Sequence, residues 1–298
     1  MRLGFAIAVS FAAVVACQGT DPASPQMRPE IKALDWVSAA ADPVLHLTQQ
    51  PATCLTSPED PAVQRGELLF NSPLLLGGQA AKAGLSCASC HRNGRGNPDF
   101  VFAGISGPPG TADVTSGLFS KVRADQVFNP VTIPDLARPE GRILVDRDRR
   151  GALEAFLSAQ ITEEFSGDAP AGPVIEDLAA YIRSLDVAAC PPNPEEPQTC
   201  MDEIQRVRVG AAYLETDPTE DSKAYRLAMR AALARLYERY SEPALEALSQ
   251  ELVALGRDLG RPIIVASLND RLDALEQALR RGERQSLYDE EQLARRLR

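Results

Sequence analysis

Residues 85–96 read LSCASCHRNGRG, and this stretch holds two of the chain's six cysteines, Cys87 and Cys90, and one of its two histidines, His91. Residues three apart on a helical turn project from one side, so the two thiols face the same way and the imidazole follows at once. C-x-x-C-H is the attachment signature of c-type haem, with two thioethers to the porphyrin and an imidazole on its iron. A structural zinc site would need a second Cys/His pair, whereas Cys54, Cys190 and Cys200 are lone residues. A thioredoxin-like redox pair belongs in a βαβ setting, and no strand signal flanks the motif. A disulfide between Cys87 and Cys90 would close a small ring and leave His91 without a role. One covalent haem is the expected cofactor, with Cys87 and Cys90 attached to it and His91 on its iron.

Upstream, PAVQRGELLF at 61–70 predicts a helix, with Asp60 as N-cap, Pro61 in the first turn and an apolar stripe of Val63, Leu68, Leu69 and Phe70. Downstream, residues 92–146 are dominated by Gly, Pro, Asn and Asp and predict a long ordered loop wrapped around something. Two amphipathic helices follow, within RRGALEAFLSAQI (149–161) and GPVIEDLAAYIRSLD (172–186). The segment 188–199, with four prolines, reads as a linker. Beyond it run helices with leucine seams at 245, 248, 252 and 255 and at 268, 272, 275 and 279, interrupted at Pro218, Pro243 and Pro262. Three or four helices packing antiparallel are expected there. No strand signal of any length appears, so the predicted class is all-α.

The run RGELLFNSPLLLGGQAAKAGLSCASCH (65–91) resembles the haem-binding stretch of the bacterial cytochrome c peroxidase superfamily, which includes the di-haem enzymes of methylamine utilisation. The resemblance rests on Gly66, Leu69 and Phe70 ahead of the S-C-x-S-C-H run from Ser86 to His91. DLAAYIRSLD (177–186) is similar to the closing helix of cytochrome c domains, in which an aromatic packs on the first helix, and Tyr181 takes that place. The likeness covers about residues 61–187 and implies a cytochrome c-like haem domain with long Gly/Pro-rich loops. Those peroxidases carry two haem motifs and this chain has one, so a mechanism that moves electrons between two haems of one polypeptide is put in doubt.

The chain starts with Arg2 and an apolar run from Leu3 to Ala16, followed by Cys17. That run is too short to cross a bilayer and fits an export signal. VVAC at 14–17 resembles a bacterial lipobox, which makes Cys17 the expected lipidation site, with ordinary signal cleavage as the alternative. The expected organisation is a signal peptide with lipobox at 1–17, a tether and loosely structured N-terminal arm at 18–60, the haem domain at 61–187, the linker at 188–199 and a helical C-terminal domain at 200–298. The expected location is the periplasmic side of a bacterial cell envelope, with membrane contact through the lipid anchor only. A net charge of −10 argues against a nucleic-acid partner.

An electron-transfer cytochrome c usually takes its second axial ligand from methionine, yet no Met lies between His91 and Cys200. His46, Met201 and Met27 are the candidates for that position, and an open iron is the further alternative. Arg92 and Arg95 are placed by proximity to contact the haem propionates. In an oxidising compartment one disulfide is expected, Cys54 with Cys190, and Cys190 with Cys200 is its competitor. The C-terminal helices read as a bundle packed on the haem domain or as a docking module for a partner. These readings point to a mono-haem c-type cytochrome that exchanges single electrons with a redox partner protein. The alternative is a peroxidase-like enzyme or ligand sensor with an open haem coordination site.

Overall fold

Asp60 starts the first long helix as the sequence predicts: its carboxylate accepts the Ala62 N–H at 2.8 Å, and Pro61 occupies the first turn. In the computed structural model, which describes residues 28–138, 151–216, 222–261 and 265–298, the elements follow one another along the chain. The arm holds a 3₁₀ turn (Lys32–Trp36), α1 (Pro43–Thr48) and β1 (Gln49–Pro51). Next come α2 (Pro61–Phe70), α3 (Pro73–Leu76), α4 (Gly78–Lys82), α5 (Cys87–Cys90), β2 (Thr111–Ala112) and β3 (Val131–Thr132). The helix α6 (Ala152–Ala159) runs into a π turn (Gln160–Glu164), and α7 (Gly172–Ser184) closes this half of the chain. After β4 (Glu195–Pro197) the remainder is α8 (Cys200–Thr216), α9 (Lys223–Arg239), α10 (Glu246–Asp258), α11 (Val265–Gly282) and α12 (Glu290–Arg296). The fold is mostly helical, and its strands are two or three residues long.

Helices α2 and α7 cross at Gly66, where a Cβ would run into the Asp177 carbonyl oxygen and the Tyr181 Cβ. At that crossing the Phe70 and Tyr181 rings meet with centroids 5.0 Å apart, tilted by 53°. One apolar core continues from this pair through α8, α9, α10 and α11, and it includes Leu252, Leu255, Leu268, Leu272, Leu275 and Leu279 from the two seams. Five helices, four of them long, follow Thr199 among the described residues. Polar ties cross the same junction. Arg65 on α2 grips Asp177 on α7 at 2.7 and 2.8 Å, and Tyr225 on α9 donates to that carboxylate at 2.6 Å.

Two expectations change. The arm from residue 28 onward is packed, because Ile31, Trp36 and Leu47 are buried and Arg239 donates to the Leu47 carbonyl at 2.6 Å and to the Leu287 carbonyl at 3.0 Å. Segment 188–199 is no free linker, since Glu195–Pro197 pairs antiparallel with Gln49–Pro51. Glu196 there accepts from Gln50 at 3.2 Å and Thr53 at 2.9 Å. Proline is tolerated in such a ribbon because each strand has a free edge. The two sequence blocks on either side of it thus share one core. The expectations at 1–17, Cys17 and Met27 lie outside the described residues. Within the described residues no helix is long and apolar enough to cross a membrane.

Candidate cofactor site

A single helical turn needs its ends satisfied. At α5 the Ser86 hydroxyl accepts the Ser89 backbone N–H, while the Ser86 N–H donates to the Ser89 hydroxyl at 3.0 Å, a reciprocal cap. The His91 N–H closes the turn on the Cys87 carbonyl at 2.8 Å. Cys87 and Cys90 therefore sit three apart on one turn as half-buried free thiols. Burial pushes both thiols up to about 12, so they stay protonated at neutral pH. Beyond His91 the backbone turns left-handed at Asn93 and Gly94, with φ of 48° and 73°. A Cβ on Gly94 would strike the Leu185 side chain. Asn97 then donates to the Ser89 carbonyl at 2.8 Å and binds the turn to the loop that follows.

His91 is the centre of the constellation. Its Nδ1 lies 3.0 Å from the Pro134 carbonyl, an acceptor that fixes the ring proton on Nδ1 and leaves the Nε2 lone pair free. Burial lowers the imidazole to about 4, against the opposing pull of the Pro134 carbonyl and Asp135, so the ring is neutral at neutral pH. Phe70 stands behind it at 6.4 Å between centroids and links it to the α2–α7 crossing. Among the described residues no group of three or more His, Cys, Asp or Glu side chains converges to hold a metal ion. Two free thiols on one turn and a neutral, oriented imidazole next to them are the donors this turn offers. Haem bound through Cys87 and Cys90 with iron on His91 fits this donor set.

The other expected residues are placed elsewhere. Cys54 and Cys190 are joined in a disulfide, and Cys200 is a buried free thiol. His46 lies on α1 with its Nδ1 at 3.3 Å from both Asp99 and Arg92. Burial, and then the Arg92 charge, lower it to about 4. It shares the wall of a cavity of about 710 Å3 with Ser86, Ala88, Ser89, Arg92 and Arg239, and Cys87, Cys90 and His91 are not on that wall. Arg92 donates to the His46 and Gln49 carbonyls at 2.8 and 2.7 Å, and Arg95 pairs with Asp135 at 2.8 Å. Both guanidiniums thus hold protein where propionate contacts were expected. Arg92 and Arg239, two of the cations on that wall, tie down backbone carbonyls of the arm.

Sequence reasoning missed two groups. The Pro134 carbonyl carries no sequence signal, because any residue offers one. Glu164 ends the π turn with one carboxyl oxygen buried and without a hydrogen-bond partner among the described residues. Burial raises its pKa, with Glu163 and Asp113 adding to the effect and Arg123 opposing it. Its only signal was a carboxylate at the end of an amphipathic pattern. Comparison with known proteins returns no matching family model, no matching curated protein and no matching solved structure.

Proposed function

We propose that this chain is a mono-haem c-type cytochrome of the bacterial envelope that carries single electrons. We further propose that residues 61–187 are a domain of the cytochrome c peroxidase superfamily's haem-binding type. The observation that supports this most is the 3.0 Å bond from His91 Nδ1 to the Pro134 carbonyl, one residue beyond a capped turn with two free thiols. A haem supplies one-electron chemistry at its iron when bound. The chain's part is to hold the thiols on one face, keep the His91 proton on Nδ1 and exclude water from behind the ring with Phe70 and Tyr181. Cys17 is the proposed lipid anchor and a redox protein the proposed partner.

The test is production of the full chain beside a working c-type maturation apparatus. The expected product is coloured, with the mass increment of one haem per chain. A colourless chain of unchanged mass overturns the reading. A second reading is an enzyme or ligand sensor with an open coordination position, and the buried Glu164 oxygen belongs to a carboxyl whose burial favours its protonated form. Absorption spectra with cyanide and carbon monoxide separate the two. Ready binding supports the second reading, and refusal in both oxidation states supports the first.

A further inference from the structure

The guanidinium of Arg95 touches three things at once. Its Nε lies 2.9 Å from both oxygens of Asp135, its Nη2 lies 2.8 Å from that carboxylate, and its Nη1 donates to the sulfurs of Cys54 and Cys190 at 3.1 and 3.4 Å. The disulfide is a fixed seat, with Cys54 fully buried and its carbonyl accepting the Asp186 N–H at 2.9 Å. Asp135 directly follows Pro134, whose carbonyl receives the His91 proton. The strand of loop around that carbonyl is pinned on both sides. Ile133 N–H bonds the Gly110 carbonyl and Leu136 N–H bonds the Gly94 carbonyl, each at 3.0 Å, and Asp135 Oδ1 accepts the Ala137 N–H at 3.0 Å. Arg95 is itself four residues beyond His91, so it holds both ends of the histidine's hydrogen bond.

We infer that Arg95, seated on the Cys54–Cys190 disulfide and forked onto Asp135, is a positioning residue that aims the Pro134 carbonyl at His91 and thereby tunes the iron's axial ligand. The inference rests on the haem reading above. A planar fork suits this role, because one guanidinium can bind a carboxylate through one edge and two sulfurs through the other, which an ammonium cannot do. An imidazole whose Nδ1–H is well bonded is a more basic ligand and favours the oxidised metal. Loss of the bridge therefore moves the iron toward the reduced form.

The experiment is a redox titration of the mature full-length protein and of Arg95→Gln, Asp135→Asn, Arg95→Lys and Arg65→Gln. Loss of a group that supports a metal ligand typically costs about 10- to 100-fold in metal affinity or activity. Arg95→Gln and Asp135→Asn are expected to shift the reduction equilibrium at least about tenfold toward the reduced state, a rise of about 59 mV for one electron. Arg95→Lys keeps the charge and loses the fork, and it is expected to fall between these and wild type. Arg65→Gln breaks the buried pair with Asp177 at the α2–α7 crossing, and it is expected to lower stability and leave the potential in place. Asp135→Asn serves if Arg95→Gln does not fold, and the double replacement of Cys54 and Cys190 by serine serves if neither does. A coloured wild type whose potential is unmoved in every folded variant, or is moved equally by Arg65→Gln, overturns this inference alone. A colourless wild type overturns the haem reading and this inference with it.

Discussion

The helices after Thr199 and the loops from Cys87 to Arg138 share one apolar core but close their local structure in different ways. In the first region the leucines of α10 and α11 disappear into a shared core, and apolar burial of about 25 cal/mol per Å2 does most of the work. In the second, Phe100, Ile105, Phe119 and Ile133 enter the same core, and the short turns between them close through single hydrogen bonds such as those at Ser86, Asn97, Asp135 and Pro134. On the proposed reading the first region sets stability and the second sets chemistry.

That contrast breaks if a change in one region produces the other's effect. The largest expected effect is on Cys87→Ala with Cys90→Ala, which is expected to abolish covalent attachment completely while the far-ultraviolet circular dichroism of the haem-free chain stays as in wild type. A collapse of helical content would show that the turn supports the fold. Next, Leu272→Ala, in the middle of a fully buried seam, is expected to cost roughly 2–5 kcal/mol in urea unfolding and still to load haem. Retained stability would mean that α11 is not part of the core.

His46 sharpens the contrast through pH. Its folded value of about 4 lies below the usual 6.5, so the folded state keeps it neutral while the unfolded chain binds a proton. Stability from this residue is complete above pH 6.5 and is lost as pH falls toward 4, on the order of 3 kcal/mol in all. Urea midpoints across that window are expected to fall less steeply in His46→Asn than in wild type, and parallel slopes would refute the assignment. The smallest effect belongs to Ser86→Ala, which removes one half of the α5 cap at about 1 kcal/mol. Calorimetry of the haem-free chain reads it, and an unchanged transition would show that the cap carries no load.

What the sequence disclosed follows the same division. Helices α2 and α7, with Asp60, Pro61 and the apolar stripes through Leu69 and Tyr181, are written in residues three and four apart, and they are found where the pattern puts them. The seams of α10 and α11 are local in the same sense. The ribbon of β1 and β4 is not, because three-residue strands containing proline show no alternation and their partners lie about 146 residues apart. Arg92, Arg95 and His46 were visible as residues able to serve a haem, but their partners are backbone carbonyls, sulfurs and acids some 40 or more positions away. Proximity in sequence to the motif said nothing of which way those side chains would turn.

The contact between the arm and the last helix bears on the order in which the molecule is built. Ile31 and Leu47 share a small apolar cluster with Leu287 and Leu293, and Arg296 reaches back to the Pro29 carbonyl at 3.3 Å. A ribosome makes the first pair some 240 or more residues before the second. The apolar cover of Ile31 and Leu47 is thus completed only once residues 287–293 are made, and a chain cut before α12 loses Leu293 from that cover.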